Sequence, residues 1–241
     1  MYSYRKTTRT LLLAVFCILL NTTGAFSQFK FLSEEIRYSL HAKTSILFST
    51  IKGDYNKREK KPSYKMGPSF GCYLSVALND QFFVEPGAFL SMKGSVSKIN
   101  YTTLISNSET NIYLIERGKE ERELYYIDIP VMVYYRMESK VSVGMGFSGS
   151  VLVKSKNKQQ YSVTEIVDYT LSYKDVSISN SNISDFRTFD SGFLFSIGYM
   201  LKDGVEFSAH SYSGLLDMKD SDRKFKNAGF GISLSYRFKQ L

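Results

Sequence analysis

The chain has 241 residues, a formal net charge of +8 and 43% hydrophobic residues, so it can form one domain with a sizeable core. It contains two cysteines, Cys17 and Cys72, which are too few for a disulfide framework or a thiol-ligated metal cluster. Its cations are scattered rather than grouped with aromatic residues in one stripe, so we expect no nucleic-acid partner.

The first 27 residues have the parts of a secretory signal peptide. Three cations and no acid precede an apolar run over 11–20, and small residues stand at 25 and 27. We predict cleavage after Ser27 and a single mature domain over 28–241, with an N-terminal membrane anchor as the alternative. Because no later stretch is continuously apolar for the roughly 20 residues of a membrane-spanning helix, insertion of the mature chain into a membrane has to use strands.

Eight stretches of the mature chain show the period-two alternation of β-strands. They run approximately over 37–50, 65–78, 81–92, 124–137, 140–154, 186–199, 204–213 and 226–238. Short turn-like connections alternate with long polar ones at 51–64, 93–123, 155–185 and 214–225. Short periplasmic turns and long external loops are typical of an even-stranded outer-membrane barrel. We therefore predict an all-β fold, an eight-stranded antiparallel up-and-down transmembrane β-barrel.

Side-chain parity separates two faces on these strands. Over 141–148, large apolar residues such as Met145 and Phe147 alternate with glycine and serine, and the final strand alternates in the same way from Phe230 to Phe238. Large apolar residues on one face and small residues on the other indicate a lipid-facing exterior around a narrow lumen. We expect a monomeric barrel in the outer membrane of a Gram-negative bacterium, with outer-membrane lipid and the barrel assembly machinery as partners.

Aromatic residues of the lipid-facing parity gather at the predicted periplasmic ends of the strands. Aromatic rings prefer the headgroup level of a bilayer, so they predict a membrane-interface girdle, although aromatic residues also favour strands in general. The predicted girdle consists of Phe82, Tyr135, Tyr199, Phe207, Tyr236 and Phe238.

Ionisable residues of the lumen-facing parity are the candidates for chemistry. The predicted polar cluster consists of Glu85, Asp128, Arg136, Glu206, His210 and Arg237. Counting from the periplasmic ends places Glu206 beside Arg237 and Glu85 beside Arg136, which predicts two cross-strand ion pairs. Buried charges need such partners, and an eight-stranded barrel is just wide enough to be filled by side chains. We therefore predict a plugged lumen rather than a diffusion pore.

Motifs of catalysis are absent from the sequence. It has two histidines, His41 and His210, and no zinc-protease helix, phosphate-binding loop or nucleophile elbow. We therefore interpret both as lumen histidines hydrogen-bonded to their neighbours, and we assign no catalytic, cofactor-binding or metal-ligating residue. A catalytic histidine paired with a carboxylate is the alternative.

The segment Tyr125 to Arg136, YYIDIPVMVYYR, resembles a strand of the PorT-like outer-membrane β-barrel family, in which aromatic residues, an acid and Ile-Pro precede an apolar run. The segments from Val84 to Gly87 and from Val143 to Phe147 are similar to the strands that flank it there. The resemblance covers roughly 39–238. It implies an eight-stranded outer-membrane barrel, and the named member of the family is associated with a protein secretion and gliding apparatus.

Three functions are compatible with such a barrel. The first is a non-enzymatic integral protein whose external loops serve surface interaction or support a secretion or envelope complex, without a cofactor. The alternatives are an enzyme that acts on lipid or peptide at the barrel rim, and a small passive channel.

Overall fold

The computed structural model describes residues 37–53, 62–106, 111–167, 170–181, 186–202, 204–218 and 224–240. The predicted signal peptide and its cleavage after Ser27 lie outside these residues, as do parts of the loops predicted over 51–64 and 214–225. The described residues form nine β-strands: β1 (Tyr38–Gly53), β2 (Ser63–Ala77), β3 (Phe82–Ser106), β4 (Asn111–Arg136), β5 (Val141–Val167), β6 (Thr170–Asn180), β7 (Phe189–Lys202), β8 (Val205–Gly214) and β9 (Phe225–Gln240). In these ranges no helix is long and apolar enough to cross a membrane.

Eight of the nine strands close into an antiparallel ring in the order β1–β2–β3–β4–β5–β7–β8–β9. The pairing of β1 with β9, for example of Thr44 with Leu234, joins the first strand to the last. Short connections follow β2, β4 and β7, and in the second of them Lys140 adopts a positive φ of 67°. The predicted eight-stranded up-and-down barrel is confirmed.

The two faces of the strands differ as their alternation predicts. Large apolar side chains point outward and are exposed, for example Met145 at 66% and Phe193 at 59%. Serines line the interior, and Ser150 and Ser196 are no more than 1% exposed. Small inward residues are needed because a ring of eight strands leaves little room inside. At Gly144 the absence of a side chain accommodates the Tyr134 ring, with which a Cβ would collide.

The structure corrects the loops predicted over 93–123 and 155–185. β3 and β4 continue as one antiparallel ladder from Lys93 opposite Leu124 to Ser106 opposite Asn111. β5 continues to Val167, and β6 pairs along its outer half. We call this four-stranded sheet, formed by 94–106, 111–123, 155–167 and 170–180, the outer extension. Its strands were missed because charged and polar residues occupy both faces, so no hydrophobic period marks them.

An apolar cluster lies where the barrel meets the outer extension. Buried side chains of three barrel strands meet a methionine from the connection between β8 and β9, and two phenylalanines pack against them. The members are Ile51, Leu124, Tyr126, Leu152 and Met218, with Phe186 and Phe225 around them. This outer cluster brings together side chains from distant parts of the chain.

Candidate functional site

The predicted lumen residues occupy different levels of the barrel rather than one site. Asp128 belongs to an upper polar layer beneath the outer cluster, and His210 lies further down. Glu85, Arg136 and Glu206 form a lower layer towards the short turns, where Arg237 also lies.

The upper layer is built around Lys93, which is 6% exposed. Its Nζ lies 2.8 Å from Asp128 Oδ1, and it faces the rings of Tyr126 and Tyr212 at 4.9 and 4.3 Å from their centroids. A carboxylate and two π-faces therefore compensate the buried ammonium. The predicted lumen residues do not include Lys93, because the sequence pattern ends the third strand at residue 92. The odd parity that it shares with Glu85 on β3 is the signal that would have found it.

Asp190 completes the upper layer. Tyr212 donates its hydroxyl proton to Asp190 Oδ2 over 3.0 Å, and Asn227 Nδ2 donates to the same oxygen over 2.7 Å. The backbone N–H of Ser191 donates to the other carboxylate oxygen. Asn227 Nδ2 also reaches the hydroxyl of Tyr126, at 3.2 Å. This network ties the polar layer to the outer cluster through Tyr126.

Between the two layers lies a cavity of about 110 Å³. Its walls carry several serines together with apolar side chains such as Phe89, Met132 and Leu194. His210 also faces this cavity, and its Nδ1 is 3.0 Å from Ser233 Oγ.

The lower layer differs from the two predicted ion pairs. Glu206 lies 4.0 Å from Arg136 rather than beside Arg237, and it accepts a hydrogen bond from Ser142. Glu85 accepts a hydrogen bond from Ser75 Oγ at 2.9 Å. The reason is register, because Glu206 stands opposite Ser235 on β9. Its carboxylate turns to the opposite side, towards β5 and β4.

Both histidines form hydrogen bonds with hydroxyl groups in the described part of the chain. Nδ1 of His41 is 3.2 Å from the hydroxyl of Tyr73, and its Nε2 is 2.8 Å from Ser39 Oγ. Neither imidazole forms a hydrogen bond with a carboxylate among the described residues. The same residues contain no group of three or more His, Cys, Asp or Glu that could hold a metal ion.

One face of the outer extension carries a network centred on Glu121 and Glu123. Lys65 of β2 reaches both carboxylates, at 3.3 and 3.5 Å, and so links the barrel to the outer extension. Lys119 lies 3.0 Å from Glu121, and Lys158 lies 3.1 Å from Glu123. The hydrogen bond from Lys119 is the main reason that the pKa of Glu121 is below its usual value.

The opposite face of β4 carries a second, smaller network. Arg122 pairs with Glu120 at 3.1 Å, and Asn157 and Gln159 of β5 donate hydrogen bonds to the same carboxylate. Burial by itself would raise the pKa of Glu120, but the Arg122 charge and these hydrogen bonds outweigh burial and hold that pKa below its usual value. Both faces of β4 near the base of the outer extension therefore carry paired charges.

The six predicted girdle residues all point outward, with exposures from 36% for Tyr135 to 63% for Phe238. Neighbouring strands bring some of them together. Phe82 pairs with Tyr135 across β3 and β4, and their ring centroids are 5.1 Å apart. Tyr199 pairs with Phe207 across β7 and β8.

A family model described as "Outer membrane protein beta-barrel domain" matches residues 26–220. The chain belongs to this family. Membership implies an integral protein of the outer membrane of a Gram-negative bacterium. A comparison with curated protein sequences finds no match at a significant level.

Solved structures of outer-membrane proteins are similar to this chain. Neisserial surface protein A is 12% identical with a TM-score of 0.42, and the likeness covers 85% of this chain and 100% of that one. Ail, the attachment invasion locus protein of Yersinia pestis, is 14% identical with a TM-score of 0.40, over 85% and 99% of the two chains. OprG from Pseudomonas aeruginosa is 12% identical with a TM-score of 0.33, over 84% and 95%. Identities this low say nothing about ligand, partner or activity.

Proposed function

We propose that this protein is a non-enzymatic outer-membrane barrel that acts through its outer extension. The outer extension offers a charged sheet to a partner protein at the cell surface, or supports a secretion or envelope complex. The observation that carries this proposal is the continuation of β3, β4 and β5 beyond the barrel as one hydrogen-bonded sheet with β6. A sheet of this kind holds its side chains in fixed positions, as a recognition surface requires.

The size and attachment of the outer extension support this role. Thirteen residues of an extended strand span about 40 Å, so the sheet reaches well beyond the barrel. Lys65 of β2 binds the base of the sheet through Glu121 and Glu123, which limits its movement relative to the barrel.

The interior supports a closed lumen rather than a passive channel. The outer cluster and the layer of Lys93, Asp128 and Asp190 lie one below the other across the path of a solute. Separating a buried ion pair that is held by further hydrogen bonds and ring contacts costs free energy, because each charge is then buried without an opposite charge beside it. The lumen then serves the stability of the barrel.

The strand from Tyr125 to Arg136 supports membership of the PorT-like subfamily, which favours a partner in a secretion apparatus. We place the barrel as a monomer in outer-membrane lipid, inserted by the barrel assembly machinery, with the girdle residues at the periplasmic interface. Among the described residues neither His41 nor His210 is hydrogen-bonded to a carboxylate that would orient it as a base, which weighs against an enzyme at the rim.

The experiment that tests this function removes the outer extension and keeps the barrel. Residues 98–119 and 158–179 are each replaced by an Asn-Gly turn, which suits a two-residue hairpin. We expect a folded, heat-modifiable barrel that no longer complements the phenotype of a null strain and no longer yields the crosslinked partner of the full-length protein.

The lipid-facing change Val133→Ile serves as the matched control and is expected to behave like the natural protein. Full complementation by the shortened barrel, with the same crosslinked partner, would show that the outer extension is not the recognition surface.

A further inference from the structure

A second cavity, of about 260 Å³, opens at the end of the barrel that carries the short turns. Three guanidinium groups line it, from Arg37 just before β1, Arg136 at the end of β4 and Arg237 on β9. Arg37 and Arg237 belong to the neighbouring β1 and β9 side of the ring, and Arg136 approaches the cavity from the opposite side, on β4. We call this cavity the arginine mouth.

Three arginines and one carboxylate, that of Asp80, line the arginine mouth, so positive charge is in excess among its lining residues. Arg37 pairs with Asp80, and both side chains are largely exposed. Arg136 lies over the Phe83 ring at 4.2 Å and is 4.0 Å from Glu206, which is the outer limit of an ion pair. Among the residues that the structure describes, no carboxylate lies within ion-pair distance of Arg237.

The inner wall of the arginine mouth is ordered and polar. His41 is buried and stacks on the Tyr73 ring with centroids 4.7 Å apart. Its Nε2 lies 2.8 Å from Ser39 Oγ, and Ser39 itself lines the cavity. The backbone N–H of Arg237 donates to the Gly204 carbonyl over 2.7 Å, which fixes the strand from which this arginine projects.

We propose that the arginine mouth binds a phosphate group presented from the periplasmic side. The guanidinium fork donates two parallel hydrogen bonds to a phosphate and keeps its charge at every physiological pH. Guanidinium groups on different sides match a tetrahedral oxyanion better than a planar carboxylate. This site is at the opposite end of the barrel from the outer extension, so the phosphate proposal can fail without affecting the proposed surface role, and the reverse.

The test titrates inorganic phosphate and pyrophosphate into the full-length mature protein in a non-ionic, phosphate-free detergent and measures heat by calorimetry. We expect saturable one-to-one binding. Arg237→Gln should weaken that binding by about tenfold or more, as expected for the loss of charge-assisted hydrogen bonds. Arg237→Lys keeps the positive charge without the guanidinium fork, so its phosphate affinity should lie between those of the natural protein and Arg237→Gln.

Lys202→Gln is the matched control, because it removes an exposed cation at the same end of the barrel outside the cavity. It should bind phosphate as the natural protein does. Arg136→Gln is a second cavity variant, and every variant is assayed only as heat-modifiable, folded barrel. Absence of saturable phosphate binding by the natural protein, or undiminished binding by Arg237→Gln, would overturn the proposal.

The source of the phosphate group is distinguished by repeating the titration in phospholipid nanodiscs. If lipid headgroups fill the arginine mouth, the phosphate response seen in detergent disappears there. If a soluble periplasmic phosphate is the ligand, the response persists.

Discussion

Lys93 Nζ lies 2.8 Å from Asp128 Oδ1, although the residue opposite Lys93 in the ladder is Leu124 and the residue opposite Asp128 is Phe89. The lysine side chain therefore points back down the lumen by four residue positions, under the outer cluster. This contact places a compensated charge next to the outer cluster, and the first prediction depends on it.

Asp128→Asn should destabilise the barrel by about 3–5 kcal/mol, because it leaves the Lys93 ammonium buried without its carboxylate. The measurement is a urea titration of the protein in lipid vesicles, followed by the gel shift of the folded barrel. Replacing both partners, with Lys93→Met and Asp128→Leu, should restore much of the loss, since no uncompensated charge remains. Equal unfolding midpoints for Asp128→Asn and the natural protein would contradict the role of this pair.

The lower layer predicts which arginine is coupled to Glu206. A double-mutant cycle of Arg136→Gln with Glu206→Gln should give a coupling energy on the order of 1 kcal/mol, as expected for a partly exposed pair at long distance. The cycle of Arg237→Gln with Glu206→Gln should give a coupling within about 0.5 kcal/mol of zero. A larger coupling for Arg237 would favour the pair that the sequence predicted. Urea unfolding midpoints supply all the energies.

Gly144 should tolerate no larger residue. Gly144→Ala forces its Cβ into the buried Tyr134 ring on the neighbouring strand and should destabilise the barrel by about 1–3 kcal/mol. Gly149→Ala on the same strand is the control, because a Cβ there meets only ordinary contacts with the Phe189 ring. The two variants are compared by urea unfolding, and equal midpoints would contradict the tight fit at Gly144.

A closed lumen predicts the behaviour of the protein in planar bilayers. In the proposed closed lumen the outer cluster and the Lys93 layer block the path, so the natural protein should show no steady conductance of porin size. A variant with Leu124→Ala and Tyr126→Ala removes two buried side chains of the outer cluster and should open more often. Steady conductance by the natural protein would mean that the lumen is open.

Acid should loosen the outer extension before the barrel. The pKa values of Glu120, Glu121 and Glu123 are held below the usual value of 4.5 in the folded protein. A carboxyl group whose pKa is lower in the folded than in the unfolded state stabilises the folded state, and it does so fully at pH values above its unfolded pKa. This stabilisation is lost as the pH falls through the folded pKa. Stability of the outer extension should therefore decrease below about pH 4.5.

Hydrogen exchange measured by mass spectrometry tests this pH dependence. When the pH is lowered below about 4.5, amide protection corrected for intrinsic exchange rates should fall in peptides from 111–123. A barrel peptide from 127–135 should stay protected. Replacing the three glutamates by glutamine should remove most of the pH dependence. Equal protection of the outer extension on both sides of this pH would contradict its dependence on paired carboxylates.

Local pattern was enough to predict the barrel. Alternation on β5 and β9 separates lipid-facing from lumen-facing residues because successive side chains of a strand point to opposite faces. The partners of the lumen charges could not be predicted in the same way. Arg136 and Glu206 are 70 positions apart in sequence, and their contact depends on the relative stagger of strands that alternation leaves undetermined. The sequence pattern also does not find Lys93, because the predicted strand ends one residue before it whereas β3 continues to Ser106.

The sequence by itself determined an eight-stranded barrel with large apolar residues outside and small or polar residues inside, because a lipid exterior and a narrow lumen restrict each face of every strand. Only the tertiary structure decided how far those strands continue and which charges meet. Cross-strand backbone hydrogen bonds stabilise the outer extension without a hydrophobic face, and strand register left Arg237 at the arginine mouth instead of beside Glu206.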